Sequence, residues 1–432
     1  MARSSHRASS VSLPSPLPSR VVVQWSRLGP YHVTRLRAAH AFFAERGVEV
    51  VALETAGDNA VYAWDDAGTA HAFEHVQVFP DAVFEALPPR AIVDAVTATL
   101  DRLDPGAVVI NSYSAPDAQA ALLWCRRNRR VAVCLMESKA DDADRTAARE
   151  WVKARLVRQF DAALAGGTPQ VAYLRQLGFP TEAAFLTCDA VDNDFFRLGA
   201  EAARDAPEAV RHLPGLHSPE PFFLASNRFV ARKNLDRLLR AYARYRQRAA
   251  APWRLVMLGD GDQRDALERI VADDGIDGVT FAGFRQIAEL PAYYGLASAF
   301  VHTALVEQWG LVVNEALAAG LPVIVSERVG SATDLVRDGE TGYTFDPTDL
   351  DALADRLVQV AAMPAEARAA MGQRGQTVVE GWSPEQFARG MWEAVSAGRA
   401  RSGRGPSLAL RAILTAMWGL SREVGSYYAI PE

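Results

Sequence analysis

The sequence predicts an α/β protein of two domains, each an open, mostly parallel sheet with helices on its faces. Three observations carry this expectation. At 432 residues the chain is too long for one ordinary core. A strand–loop–helix–strand pattern opens the chain near Arg20, and the same grammar restarts at Pro221. The stretch from Val301 to Gly320, VHTALVEQWGLVVNEALAAG, sets a polar loop between a buried strand and a helix. In open α/β sheets such a rim, at the carboxyl ends of the strands, is where ligands bind.

Bulk composition narrows the function classes. Hydrophobic content of 49% with 23% charged residues fits a soluble globular chain. A net charge of −6 gives no global basic character to attract nucleic acid. Cys125, Cys134 and Cys188 form neither a metal-ligand spacing nor a disulfide framework, which points to a reducing cytoplasm. Residues 1–19 are rich in Ser, Pro and Arg, lack an apolar core segment and read as a disordered tail. No run is long and apolar enough to span a membrane.

In the first domain, residues 20–197, Arg20 to Trp25 is the opening strand and Gly29-Pro30 turns the following loop. A helix runs to about Arg46, Gly47 ends it, and Val48 to Leu53 returns as a strand. His32 at that helix start is a cap or an acceptor contact. Val61 to Trp64 and His71 to Phe73 suggest short strands. Ala91 to Leu103 has helical spacing. Ala107 to Asn111 is a buried strand that delivers Asn111 to the rim, and a helix follows from Asp117 to Asn128. The strand from Arg130 to Met136 ends at Glu137, which lines the crevice or belongs to a solvated loop. Asp144 to Gln159 is a basic amphipathic helix, read first as a solvated face and second as an acceptor- or membrane-facing surface. Ala162 to Ala165 is a strand, Thr168 before Pro169 is an N-cap, and Ala184 to Leu186 is the last strand of this half. Asp192 reads as a turn residue.

Residues 198–220 carry Pro, Gly and Glu with little periodicity and make a linker. In the second domain, residues 221–397, Pro221 to Ser226 is a strand, and Asn234 caps a helix that runs to Tyr245. Arg228, Arg232 and Lys233 therefore precede a helix start at the carboxyl end of a strand. Trp253 to Leu258 ends in the turn Gly259-Asp260-Gly261-Asp262, and Val279 to Ala282 ends in Gly283-Phe284-Arg285. Ser383-Pro384-Glu385-Gln386 opens a further helix. Residues 398–432 form a basic linker and a helix from Leu408 to Val424, which packs back on the first domain or, as the second reading, touches a membrane through its basic, Trp418-bearing face.

The loop before the 311–319 helix carries Glu307, and Glu315 lies about one turn into that helix. Its start, at Gly310 and Leu311, offers backbone N–H groups and a positive dipole end that suit a phosphate. Two acceptor-only carboxylates there suit the vicinal hydroxyls of a ribose or a hexose.

Glu307, seven intervening residues and Glu315, on the frame GLVVNEALAAGLPVIV and with Gly330 and the later DGETGY, resemble the signature of glycosyltransferase family 4. The resemblance implies the GT-B fold: two Rossmann-like domains facing a central cleft, the second holding a nucleotide diphosphate sugar and the first the acceptor. It implies transfer with retention at the anomeric carbon, the leaving phosphate acting as base. Asn227 to Asn234 resembles the family's basic motif, whose cations, Arg228 and Lys233 by position, take the diphosphate. Glu315 would then hold the ribose and Glu307 the sugar hydroxyls, so Glu307, Arg228 and Lys233 are the catalytic candidates. Gly29, Gly259, Gly283 and Phe284 join Glu315, Gly310 and Leu311 as donor contacts, with His32, Asn111 and Glu137 facing the acceptor. No metal site and no essential divalent metal or other cofactor are expected, since Asp260-Gly261-Asp262 sits in a glycine turn. The expected partners are a nucleotide sugar and a hydroxyl-bearing acceptor of polysaccharide, glycolipid or glycoconjugate synthesis, with no nucleic acid. The expected location is the cytoplasm, or the inner face of the membrane with peripheral contact. A nucleotide-sugar epimerase of the same fold and a non-catalytic nucleotide-sugar-binding protein are the competing classes. Two departures from the family pattern are His302-Thr303, where Pro-Ser is usual, and Gln308-Trp309 before Gly310.

Overall fold

The structure, a computed structural model, describes residues 18–58 and 72–420. Residues 1–17 of the tail expected over residues 1–19, the strand expected at Val61 to Trp64, His71, and the helix end at residues 421–424 lie outside the described residues.

The first sheet is built from β1 (Arg20–Trp25), β2 (Glu49–Asp58), β3 (Glu74–Val83), β4 (Ala107–Asn111), β5 (Val131–Met136), β6 (Ala162–Ala165) and β7 (Ala184–Phe185). Its helices are α1 (Pro30–Ala44), α2 (Pro89–Leu103), α3 (Pro116–Asn128), α4 (Ala147–Val157) and α5 (Thr168–Gln176), and α6 (Asn193–Asp205) leads out. The strand order is β3-β2-β1-β4-β5-β6-β7. The second sheet holds β8 (Phe222–Ser226), β9 (Arg254–Leu258), β10 (Val279–Gly283), β11 (Ala299–His302), β12 (Val323–Ser326) and β13 (Gly342–Phe345), in the order β10-β9-β8-β11-β12-β13. Its helices are α7 (Leu235–Arg248), α8 (Arg264–Asp273), α9 (Leu290–Leu296), α10 (Leu311–Ala318), α11 (Ala332–Leu335), α12 (Leu350–Ala362) and α13 (Ala365–Val379). The chain closes with α14 (Pro384–Arg401) and α15 (Leu408–Leu420).

Every strand pairing is parallel. The central strands are therefore covered on both faces and read as unbroken apolar runs, such as Val21, Val22 and Val23 in β1. Two apolar layers flank each sheet. Strand order reverses between β1 and β4 and again between β8 and β11. The loops at these switch points open at the carboxyl ends of the strands, where a crevice forms.

Several expectations need correcting. The segment expected as a linker from residue 198 begins as helix: α6 runs to Asp205, and Phe196, Ala200 and Ala203 bury one face among residues of the second domain. Its core-facing residues after Phe196 are alanines, so helix-forming Ala, Arg and Glu passed for linker composition. The return to the first domain starts earlier than residue 398: Phe387, Met391, Ala394 and Val395 of α14 pack with Val33, Leu36 and Val133 of the first domain. Ser383 caps α14 by accepting the Gln386 N–H. Strand β3 lies where the sequence suggested no element, and its Pro80 is tolerated because β3 is at the sheet edge. Thr168 is the first residue of α5, not its N-cap, because its N–H and hydroxyl both bond Asp334 of the second domain. Asn234 stands at the N-cap of α7 with φ +61°, yet its amide donates to the carbonyls of Thr303 and Pro347. Asp192 caps α6 by accepting the Phe195 N–H at 2.9 Å. Helix α15 packs back as expected, with Leu410 and Leu414 buried and Trp418 Nε1 donating to Gln119. Among the described residues no helix is long and apolar enough to cross a membrane.

Candidate active site

The loops after β8 and β11 meet at the switch point of the second sheet. The first carries Arg228, Arg232 and Lys233, and the second carries Glu307. Lys233 Nζ and Glu307 Oε2 form a partly buried ion pair. Burial alone would raise the Glu307 carboxyl, but Lys233 holds it well below the usual range. Lys233 is pushed down by desolvation and by Arg232 and Arg228 nearby, while Glu307 opposes the shift. Three cations therefore converge on one loop. His302 Nε2 lies 3.3 Å from Glu307 without hydrogen-bond alignment. Burial first, and Lys233 second, push this imidazole down, so it stays neutral.

The two departures from the family pattern are structural here. Thr303, fully buried, donates its hydroxyl to the Lys233 carbonyl at 2.9 Å and so fixes the basic loop. Trp309 is buried, donates to Asn314 Oδ1 at 2.9 Å and stacks on Trp382 with centroids 6.0 Å apart. Gly310 has φ +94°, and a Cβ there would lie 3.0 Å from Val329 Cγ1 and 3.3 Å from Glu307 Cγ, so this left-handed turn into α10 favours glycine. Leu311 begins α10. The glycine turn after β9 lies directly behind the basic loop: a Cβ on Gly259 would fall 1.7 Å from the Asn227 carbonyl oxygen. Gly283 accepts the Gly259 N–H at 2.9 Å, and Phe284 beside it is exposed.

Glu315 is 1% exposed, and both its oxygens are engaged. Tyr294 of α9 donates to Oε2 at 2.7 Å, and Tyr31 of α1, from the first domain, donates to Oε1 at 2.7 Å. Burial raises this carboxyl against the lowering effect of the two phenols. Tyr31 follows Gly29-Pro30, so the loop read as approaching the donor does reach the carboxylate read as holding the ribose. Gly29 donates its N–H to His32 Nδ1 at 2.9 Å, which puts the ring proton on Nε2. Burial and Arg35 push His32 down to about 3, so it is a neutral capping residue. Asn111 ends β4, half-buried at the rim. Glu137, directly after β5, is raised by burial, with Arg35 opposing.

The two domains also touch around this site. Gln170 Nε2 donates to the Gln308 carbonyl at 2.7 Å and to the Glu137 carbonyl at 3.2 Å. Gln308 Nε2 donates to Asp142 at 3.1 Å, and Trp382 Nε1 donates to the Gly166 carbonyl at 3.0 Å. The fold thus brings Lys233 against Glu307, Gly310 beside Glu307, and Tyr31, which follows Gly29-Pro30, against Glu315, and Gln170 ties the Glu137 carbonyl to the same loop. Sequence reasoning missed Tyr31, Tyr294, Gln308 and Asp334, whose partners are distant in the chain; no local spacing encodes them.

The family described as glycosyl transferases, group 1, matches residues 210–378. Residues 210–378 thus resemble a group 1 glycosyltransferase domain. This domain covers the basic loop, the Glu307 loop and α10. The chain is 34% identical over 180 residues to a GDP-mannose-dependent alpha-(1-6)-phosphatidylinositol monomannoside mannosyltransferase of Mycolicibacterium smegmatis, covering 40% of this chain and 46% of the relative. It is 30% identical over 227 residues to the enzyme of the same name from Mycobacterium tuberculosis, covering 51% of this chain and 55% of the relative. It thus spans about half the length of these curated relatives. Among solved structures it superposes on sucrose-phosphate synthase from Thermosynechococcus elongatus with TM-score 0.66 at 21% identity, covering 87% of this chain and 97% of that one. Anabaena HepE in complex with UDP and glucose gives TM-score 0.67 at 15% identity, covering 88% and 100%. The group 1 domain is therefore the second half of a GT-B fold, with two Rossmann-like domains facing a cleft.

Proposed function

We propose that the protein is a retaining glycosyltransferase that moves a sugar from a nucleotide diphosphate sugar to a hydroxyl acceptor. The single observation that carries this reading is the ion pair between Lys233 and Glu307, joined from two loops at a sheet switch point, with Glu315 in the helix that follows. Transfer builds negative charge on the departing diphosphate, and fixed cations in a closed crevice stabilise it. Arg228 and Lys233 take that role, aided by the α10 start. Glu307 is freed from Lys233 to bind sugar hydroxyls, and Glu315 exchanges Tyr31 for the ribose. The leaving phosphate takes the acceptor proton. With these cations in place no divalent metal is required, so activity should survive chelation with EDTA.

The names of the most similar relatives make GDP-mannose the first donor to try, and a sugar or glycolipid hydroxyl the first acceptor. A location at the inner face of a membrane is supported by three buried free cysteines and by exposed Trp151 and Leu408 beside Arg155 and Arg411. Calorimetry with GDP, UDP and ADP tests the site. One nucleotide should bind in the micromolar range, and Lys233→Ala and Glu315→Gln should each weaken it at least tenfold. Unchanged binding by both variants would remove the site assignment. Product analysis then separates a new glycoside from an epimerised donor.

A further inference from the structure

The first-domain wall of the cleft holds a second pair of carboxyl groups. Glu137 follows β5, Cys188 and Asp189 follow β7, and one ligand-type atom from each lies within 4.8 Å of the others. Asp189 is 3% exposed and its Oδ2 has no hydrogen-bond partner. Its Oδ1 lies 3.5 Å from the guanidinium of Arg35, itself buried on α1, whose Nε donates to the Ala190 carbonyl at 2.9 Å. A Cβ on Gly166 would sit 2.6 Å from Asp189 Oδ2 and 3.2 Å from the Trp309 ring, so this glycine lets the donor-side loop close directly over Asp189. Gln170 ties the Glu137 carbonyl to the Gln308 carbonyl of that same loop.

A metal ion does not suit this cluster. Arg35 already supplies the positive charge, and burial pushes the Cys188 thiol well up, away from the thiolate a metal needs. One guanidinium faces two carboxyl groups, which leaves one negative charge uncompensated in a buried place. A proton between two close carboxyl groups resolves that imbalance. The groups facing the pair act in opposite directions: Arg35 from α1 opposes the proton, while Glu307 from the loop after β11 adds negative charge that favours it. Burial, Glu137 and Glu307 together push the Asp189 carboxyl up to about 8.

We propose that Glu137 and Asp189 share one proton and that Asp189 is a positioning residue, setting through this proton the form in which Glu137 meets an acceptor hydroxyl. This deepens the transferase reading and rests on it. Below the titration of the pair, the shared proton and Arg35 leave the wall neutral. Above it, two carboxylates face Glu307 across the cleft and acceptor binding weakens, while nucleotide binding, which uses the opposite wall, does not.

Infrared difference spectra of the full chain between pH 6 and pH 10 test the pair without any activity. The wild type should lose a protonated-carboxyl band centred near pH 8, and both Asp189→Asn and Glu137→Gln should remove that band from the difference. The two variants serve as mutual controls against a folding defect. A wild-type spectrum without such a band, or a band that survives both variants, overturns the pair. Kinetics test the role, with the nucleotide sugar of the base that binds and methyl α-D-mannopyranoside as acceptor. For a group titrating near 8, acceptor KM should rise about tenfold from pH 7 to pH 9. In Asp189→Asn it should be flat over that range, with nucleotide affinity unchanged. A KM step that persists in Asp189→Asn overturns the positioning role. A titrating pair in a protein that binds nucleotide but forms no glycoside would instead defeat the transferase reading and leave the shared proton standing.

Discussion

Glu315, singled out in the sequence as a donor contact, is found in unexpected company in the fold. The family resemblance implies that it holds the ribose, yet both oxygens are held by phenols, one of them reaching across from the first domain. A net hydrogen bond contributes about 1 kcal/mol, so a nucleotide that must displace Tyr31 loses roughly fivefold in affinity. Tyr31→Phe should therefore tighten nucleotide binding by about that factor in calorimetry; unchanged or weaker binding would mean that the phenol does not compete. The Lys233–Glu307 pair makes a pH prediction with a definite sign. The folded-state value of Glu307 lies below its ordinary 4.5, so the stabilisation is fully present above pH 4.5 and is lost as pH falls below it. Removing one partner of a buried pair costs on the order of 3 kcal/mol. Glu307→Gln should thus melt several degrees below wild type at pH 7, and the gap should narrow on acidification towards pH 3.5. A gap that widened on acidification would contradict the pairing.

The elements that sequence reasoning placed best are those whose pattern is set by burial alone. The central parallel strands are apolar on both faces, and β1, β4 and β6 fall within a residue of where they were expected. Legibility fails where a partner far along the chain decides the outcome. Strand β3 needs β2 beside it, Thr168 is bonded by Asp334, and Asn234 serves the carbonyls of Thr303 and Pro347 instead of its own helix. In the candidate site the same division holds: Glu307, Glu315, Arg228 and Lys233 stand out through local motifs that resemble the family's, whereas Tyr31 and Asp189 act through contacts that only folding creates. Helix α6 offers a test at this scale. A Cβ on Gly199 would lie 2.5 Å from Pro291 Cβ of α9. Alanine gains about 1 kcal/mol of helix propensity there, but overpacking costs about 1–3 kcal/mol, so the clash wins. Gly199→Ala should lower Tm by a few degrees in scanning calorimetry and leave nucleotide affinity unchanged. A raised Tm would mean that α6 slides freely on α9.

Across the whole molecule, the domains are closed on each other in this structure. With Glu315 almost fully covered and Tyr31 bonded to it, ribose hydroxyls reach that carboxylate only after the seam opens. Apparent affinity is then reduced by the fraction of molecules open at any moment. The contacts that hold the seam are unequal. Arg328 and Asp141 form an ion pair whose side chains are about half exposed, a kind of contact that contributes little. Asp334 instead accepts both the N–H and the hydroxyl of Thr168, at 2.8 and 2.9 Å, at the start of α5. Truncating it removes both bonds, a net contribution of about 0.5–1.5 kcal/mol each, with water able to reach the exposed Thr168. Helix α14 keeps the domains tethered whatever the seam does, since it crosses back and packs against α1. Asp334→Ala should therefore open the cleft without separating the domains. The radius of gyration from small-angle scattering should rise, amide exchange at Thr168 should speed up, and nucleotide should associate faster. If the variant scatters and exchanges like wild type, the Asp334–Thr168 contact does not hold the cleft shut, and the remaining seam contacts, Gln170–Gln308 and Tyr31–Glu315 among them, govern access to Glu315.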